Sequence, residues 1–314
     1  MKILITGGFG FVGGRLAEYL SLAGHTIILG SRKASEAPIW LPNVKVQKID
    51  WDDEASLIRS CQGVDMVIQA AGMNANDCSS DPEAALNFNG KSTGRLAKAA
   101  LKSDVTRFIY LSTAHVYSNP LTGHITEENV PRNTHPYATS HLAGENAVLN
   151  LKQSKKMWRI VLRLSNAFGS PKDLKTNCWM LLINDLCKQA VEKRKLVLKS
   201  NGLQSRDFIS LEQVSNVVAF FANRSIKPNG LNIFNLGTGI SKSVFEIAKL
   251  VQLRCKLVLD FEPELLCLSS DKNEPQTPLI YKSTNLPLLG IKVDDSYNLT
   301  EIDNLLCYCR KHFC

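Results

Sequence analysis

Residues 6–14 read TGGFGFVGG, between the apolar run KILI at 2–5 and the helical pattern RLAEYLSLAG at 15–24. Gly7, Gly10 and Gly13 are spaced G-x-x-G-x-x-G. Gly7 permits a tight turn, Gly10 lets the backbone approach a pyrophosphate, and Gly13 lets the following helix pack closely on the strand. The pyrophosphate then meets the positive amino end of that helix, at Phe11 and Val12. A glycine triplet alone is weak, but a strand before it and a helix after it are what a dinucleotide-binding turn requires. The competing reading is a structural turn.

Working outward, apolar strands alternate with helical patterns. TIILGS (26–31), VKVQKID (44–50), DMVIQAAG (65–72), RFIYLST (107–113) and RIVLRLSN (159–166) read as strands. Helices are expected at DEASLIRSCQG (53–63), AALNFNGKSTGRLAKAALKS (84–103) and ATSHLAGENAVLNLKQ (138–153). This alternation predicts an α/β fold, a Rossmann-type doubly wound parallel sheet covered on both faces. Beyond about residue 170 the rhythm loosens into a mixture of helices and short strands. Loops near 118–136 and 268–278 are expected to be flexible edges.

Composition sets outer bounds. The chain has 314 residues, 44% hydrophobic and 21% charged, which suits a soluble globular protein. No apolar run approaches the roughly 20 residues of a membrane span. Met1-Lys2 runs straight into a strand and a glycine turn rather than a cleavable signal, so a cytoplasmic location is expected. The nine cysteines are an odd number without an export signal, which predicts reduced thiols. The tail CYCRKHFC gathers Cys307, Cys309, His312 and Cys314, but Cys-x-Cys is not the usual zinc spacing; a helical tail without metal is expected. The net charge of +8 suits anionic ligands. Its clusters, KQSKK (152–156) and EKRK (192–195), read as solvated helix ends, and no aromatic-basic motif points to nucleic acid.

The second strand ends LGSRK, placing Ser31 where an NAD-binding chain usually has an acidic residue, with Arg32 and Lys33 next. A hydroxyl and two cations suit a 2′-phosphate, so NADP is favoured, with NAD still open. In DWDD after the third strand, Asp50 is placed to accept from an adenine amino group, with Trp51 beside it. Further on, YATSH puts Tyr137 and His141 four residues apart on one helix face. That spacing sets a proton-transferring phenol beside a cation, except that the cation position holds an imidazole.

In order, TGGFGFVG, DWDD, VIQAAG, NGKST, LSTAHVY, YATSH, RLSNAFGSP, RDFISLEQV and NLGTG cover nearly the whole chain. This set resembles the extended short-chain dehydrogenases/reductases of the NAD(P)-dependent nucleotide-sugar epimerase/dehydratase group. The resemblance implies a dinucleotide domain at 1–165 plus about 204–240, interleaved with a smaller C-terminal α/β substrate lobe at 166–203 plus 241–314. It implies hydride transfer at a carbon of a nucleotide-linked sugar, with Tyr137 as acid/base and Thr113 orienting the same oxygen, Ser112 beside it. Ala70, Ala71, Gly72 and Asn89 would lie by the nicotinamide-side ribose, and Asn166 and Arg206 on the substrate diphosphate. A homodimer through helices around 89–102 and 137–153 is also implied.

One departure touches the chemistry: the family's lysine is His141. A neutral imidazole gives Tyr137 no charge assistance, and being shorter than a lysyl chain it loses the ribose contact or makes it through water. The resemblance then leaves two outcomes, a retuned enzyme or a lapsed one that keeps its dinucleotide. Reduction suffers less than oxidation, since a neutral phenol already donates a proton. The 4,6-dehydratases carry an Asp-Glu pair after the Ser/Thr; here Ala114 and His115 follow Thr113, so oxidation, reduction or epimerisation is expected ahead of dehydration.

Overall fold

A run such as Ile3-Leu4-Ile5 has no polar alternation because both of its faces are covered, and all three residues are 0% exposed. The computed structural model describes residues 1–33, 36–151, 157–224, 230–268 and 277–314. The KQSKK cluster, the end of the helix expected to 153, and most of the 268–278 loop lie outside the described residues. The chain opens with β1 (Lys2–Thr6), α1 (Phe11–Leu22), β2 (Thr26–Ser31), β3 (Lys45–Lys48), α2 (Glu54–Cys61) and β4 (Met66–Gln69). Short helices α3 (Ala75–Ser80) and α4 (Pro82–Ala85) lead through a π turn at Leu86–Ser92 into α5 (Thr93–Lys102) and β5 (Arg107–Thr113). β6 (Gly123–Ile125), α6 (Pro136–Leu149), β7 (Trp158–Leu164), β8 (Asn166–Phe168), α7 (Leu182–Lys193) and β9 (Lys195–Leu198) follow. Next come β10 (Ser205–Ser210), α8 (Leu211–Asn223), β11 (Ile233–Leu236), β12 (Ser241–Ser243) and α9 (Val244–Leu259). The last elements are β13 (Glu264–Cys267), β14 (Leu279–Tyr281), α10 (Asn285–Leu288) and α11 (Asn298–Phe313).

Seven strands make one parallel sheet in the order β11-β7-β5-β4-β1-β2-β3. Strand order reverses between β1 and β4, and a crevice opens at their carboxyl ends. α1 and α8 cover one face with Leu16, Leu20, Val214, Val217 and Phe221. α2 and α5 cover the other with Leu57, Leu96 and Ala100. The doubly wound architecture is therefore present as expected. The helix expected unbroken at 84–103 is instead interrupted by the π turn, which brings Asn89 inward, 1% exposed.

A second core joins Phe168 with α7, β9, α9 and α11 through Leu186, Leu196, Val251 and Leu305. In the carboxyl tail, α11 runs to Phe313 with Cys309 buried and Cys307 and Cys314 exposed. All nine cysteines are free thiols. Among the described residues, no group of three metal-ligating side chains forms and no helix is long and apolar enough to cross a membrane.

A buried ion pair links the two cores. Arg15 on α1 makes a two-pronged bridge to Glu301 on α11, at 2.7 and 3.1 Å. Glu301 is 2% exposed and also accepts from the backbone N–H groups of Ser170 and Glu212, both at 3.2 Å. Removing one partner of such a pair strands the other charge. Glu301→Ala should therefore lower the unfolding free energy by about 3–5 kcal/mol in a denaturant titration. A loss within the scatter of an exposed substitution would show that the bridge does not hold the two cores.

Candidate functional site

The glycine turn is built by close contact. Gly7 has φ +67°, and a Cβ there would lie 2.7–2.8 Å from the backbone of Ala70 and Ala71 at the end of β4. A Cβ on Gly13 would lie 2.2 Å from the Gly7 carbonyl oxygen. No side chain caps the amino end of α1, and its first turn carries no carboxylate. The N–H groups around Phe11, Val12 and Gly13 thus have no intrahelical acceptor, an arrangement that suits an anion.

At the carboxyl end of β2, the Ser31 hydroxyl accepts from the Lys33 N–H at 3.2 Å. The Arg32 guanidinium lies 5.9 Å over the Phe88 ring, and Phe88 meets Trp51 edge-on at 5.2 Å. Asp50 is exposed, and its carboxylate accepts from Asp52 N–H at 3.0 Å. Arg32, Trp51 and Phe88 line a groove of about 1200 Å³ together with Lys91, Arg95 and Lys98.

Thr113, Tyr137 and His141 come together at the carboxyl end of β5. The Thr113 side chain lies close enough to the Tyr137 phenol to favour the phenolate, but burial outweighs this and holds Tyr137 above the ordinary tyrosine range. The Tyr137 and His141 rings pack edge-on, 4.6 Å apart. His141 is 7% exposed, and burial pushes its pKa down to about 4. The lysine position therefore holds a neutral ring that carries no charge at pH 7 and cannot lower the Tyr137 pKa electrostatically.

Asn89 works as a clamp: it accepts from Met73 N–H at 2.8 Å and donates to Ser140 Oγ at 3.0 Å. It thereby ties the segment after Gly72 to α6, between Tyr137 and His141. Ser112 is buried and its hydroxyl donates to Glu145 at 2.5 Å. Glu145 is gripped by Arg163 at 2.6–3.2 Å, and Arg163 also donates to the Tyr117 hydroxyl at 2.7 Å. Burial opposes the Arg163 charge, but Glu145 more than offsets it.

On β10, Arg206 is half-buried and donates to Gln204 Oε1 at 2.7 and 3.2 Å. Its neighbour Asp207 points the other way and is held by Thr238 N–H, Thr238 Oγ1 and Gly239 N–H at 2.8–3.1 Å. Arg206 is thus not spent on Asp207, and burial lowers its pKa. Asn166 Nδ2 donates to the Asp207 carbonyl at 2.8 Å. His115, whose backbone N–H donates to Thr113 Oγ1 at 3.2 Å, has its pKa lowered by burial and then by the Arg206 and His135 charges.

Several supporting residues are not singled out by motif: Tyr110, Ser140, Gly144, Glu145 and Arg163. Two carry a signal in retrospect. A charged Arg163 inside an apolar strand needs a buried counter-ion, and Glu145 lies one helical turn beyond His141.

Residues 3–237 match the family model described as the NAD dependent epimerase/dehydratase family, and the chain belongs to that family. It is similar to UDP-glucose 4-epimerase of Neisseria meningitidis serogroup C, 26% identical over 292 residues, covering 83% of this chain and 84% of that one. It is also similar to human dTDP-D-glucose 4,6-dehydratase, 28% identical over 265 residues, covering 80% and 73%. In fold it matches UDP-glucose 4-epimerase of Thermotoga maritima, solved with UDP-glucose, at a TM-score of 0.82, 21% identity and 99% coverage of both chains.

The depressed His141 pKa has a consequence for stability. Between pH 6.5 and about 4 the unfolded chain takes up a proton on this ring that the folded chain refuses. Acidification through that window should therefore remove about 3 kcal/mol of stability that a His141→Asn variant does not lose. Parallel stability–pH curves for the two proteins would show that the ring is charged or solvated.

Proposed function

We propose that this chain is an NAD(P)-dependent oxidoreductase or epimerase acting on a nucleotide-linked sugar. The observation that carries the reading is the meeting of the Thr113 and Tyr137 hydroxyls beside the glycine crevice. The residues present fit a dinucleotide: side chains are excluded at Gly7 and Gly13, and an uncapped helix end lies beyond them. When bound, a nicotinamide supplies the hydride acceptor or donor.

Around it, Phe11, Val12, Gly13 and Gly10 hold phosphates, Ala70 to Gly72 border the ribose, and Asp50 and Trp51 flank the adenine. Asn89 positions these groups by its clamp, and Ser112 does so through Glu145. Thr113 orients the sugar oxygen, and Tyr137 gives it a proton or takes one away. We assign Arg206 to the substrate diphosphate, because among the described residues its fork is held only by the neutral Gln204 amide. Asn166 braces the strand beneath it and presents its remaining oxygen. Residues 166–203 and 241–314 form the substrate lobe, and two copies pair through α5 and α6.

Ser31, Arg32 and Lys33 support NADP over NAD. The high Tyr137 pKa supports reduction of a keto-sugar, for which the phenol is already in its donating form. Relatives include both an epimerase and a dehydratase. Ala114 and His115 stand where dehydration would need its extra acid and base, which supports redox or epimerase chemistry. The neutral His141 supports a second reading, a lapsed enzyme that retains its dinucleotide as a bound or sensed ligand.

Turnover of nucleotide-linked keto-sugars and sugars by the wild type and by His141→Lys separates these. An enzyme with a weakened cation gains activity in His141→Lys, and the pH at which its oxidative activity rises moves down. An adapted histidine loses activity instead. No turnover by either protein, with a dinucleotide still bound, leaves the lapsed reading. A fluorescence titration should show NADPH binding more tightly than NADH, with the order reversed in Ser31→Asp; a wild type that prefers NADH would sink the 2′-phosphate assignment.

A further inference from the structure

We propose that Tyr110 is a positioning residue that donates its hydroxyl hydrogen to Nδ1 of His141, keeping the single ring proton on Nε2, on the side facing Gly72. The Tyr110 oxygen lies 2.9 Å from Nδ1. Its other acceptor, the Asn89 carbonyl, lies at 3.5 Å, the edge of hydrogen bonding. Were the imidazole to donate from Nδ1, the phenol proton would be left with that poor acceptor. Burial and the Glu145 charge hold Tyr110 well above the ordinary tyrosine range, so it has a proton to give.

The contact follows from a match of repeats. On β5, residues 110 and 112 lie on one face, about 7 Å apart. On α6, residues 141 and 145 lie one turn apart, about 6 Å along the axis. Tyr110 therefore docks on His141 as Ser112 docks on Glu145. Gly144 makes the space: a Cβ there would lie 2.6 Å from the Tyr110 hydroxyl and 2.5 Å from the Asn89 carbonyl oxygen. Tyr110, Gly144 and His141 thus form one compatible set, in which any side chain at 144 would push the phenol off the ring.

The far edge of the imidazole faces the crevice. A Cβ on Gly72 would lie 3.9 Å from His141 Cε1 and 4.0 Å from Nε2. Among the described residues, no side chain or backbone group hydrogen-bonds to Nε2, and it is not sealed from solvent. The ring therefore presents a neutral N–H donor beside Gly72. Resting on the functional reading above, that donor suits a ribose hydroxyl, keeping the hydrogen-bonding half of the lysine role while its charge is given up.

The test is long-range ¹H–¹⁵N NMR of the histidine rings in the protein without coenzyme, assigned with His141→Asn. The wild type should show His141 with a bare, hydrogen-bonded Nδ1 and a protonated Nε2. In Tyr110→Phe, which keeps the ring volume, the Nδ1 resonance should move to the position of a nitrogen without a donor. Dinucleotide affinity, measured separately by calorimetry, should fall roughly tenfold in Tyr110→Phe. A protonated Nδ1 in the wild type, or an Nδ1 resonance unmoved in Tyr110→Phe, would overturn the proposal even if the protein binds coenzyme and turns over. A wild type with the expected tautomer that binds no nicotinamide dinucleotide would support the Tyr110–His141 bond and overturn the functional reading.

Discussion

The steric constraint between the end of β1, the end of β4 and the first turn of α1 governs the rest of the molecule. Backbone meets backbone there at distances that no Cβ tolerates, at Gly7 against Ala70–Ala71 and at Gly13 against Gly7. The helix can then start directly over the point where strand order reverses, with its amino end bare. Once that end is fixed, the crevice, its anion preference and the direction in which a bound dinucleotide runs all follow. The β4 backbone that presses on Gly7 continues to Gly72, which in turn meets Asn89 and His141.

The other organising contact is β5 against α6. Strand and helix repeats match, and two hydrogen bonds dock one element on the other through Tyr110 and Ser112. Behind them, the Glu145–Arg163 pair and its partners Tyr117, Asn235 and Tyr281 make a buried polar network at the sheet's carboxyl edge. Paired and fully bonded, such a network gives rigidity in place of a greasy contact. It braces β5 and α6, the elements that carry Thr113 and Tyr137. The electrostatics of the site then follow from burial rather than from charge: His141 is kept neutral and Tyr137 is kept protonated.

Much of this was legible in the chain. The glycine turn, the alternation of apolar strands with helices and the Tyr137–His141 spacing are local signals, and local geometry reports them directly. The π turn at Leu86–Ser92 was not, because it depends on Asn89 finding partners at Met73 and Ser140, distant in sequence. The commitment of Ser112 to Glu145 was hidden for the same reason. So was Tyr110, which reads as one more apolar strand residue until Gly144 opens a space for its hydroxyl. Arg206 and Asp207, adjacent and opposite in charge, invite pairing, but strand alternation sends them to opposite faces.

The central claim is that the bare end of α1 holds a dinucleotide whose nicotinamide reaches the Tyr137 hydroxyl. A crystal structure grown with excess coenzyme tests it most directly. The account predicts the two linked phosphates over the backbone of residues 10–13 and the nicotinamide ring within reach of Tyr137. An empty crevice, or a ring lying far from that phenol, would contradict it.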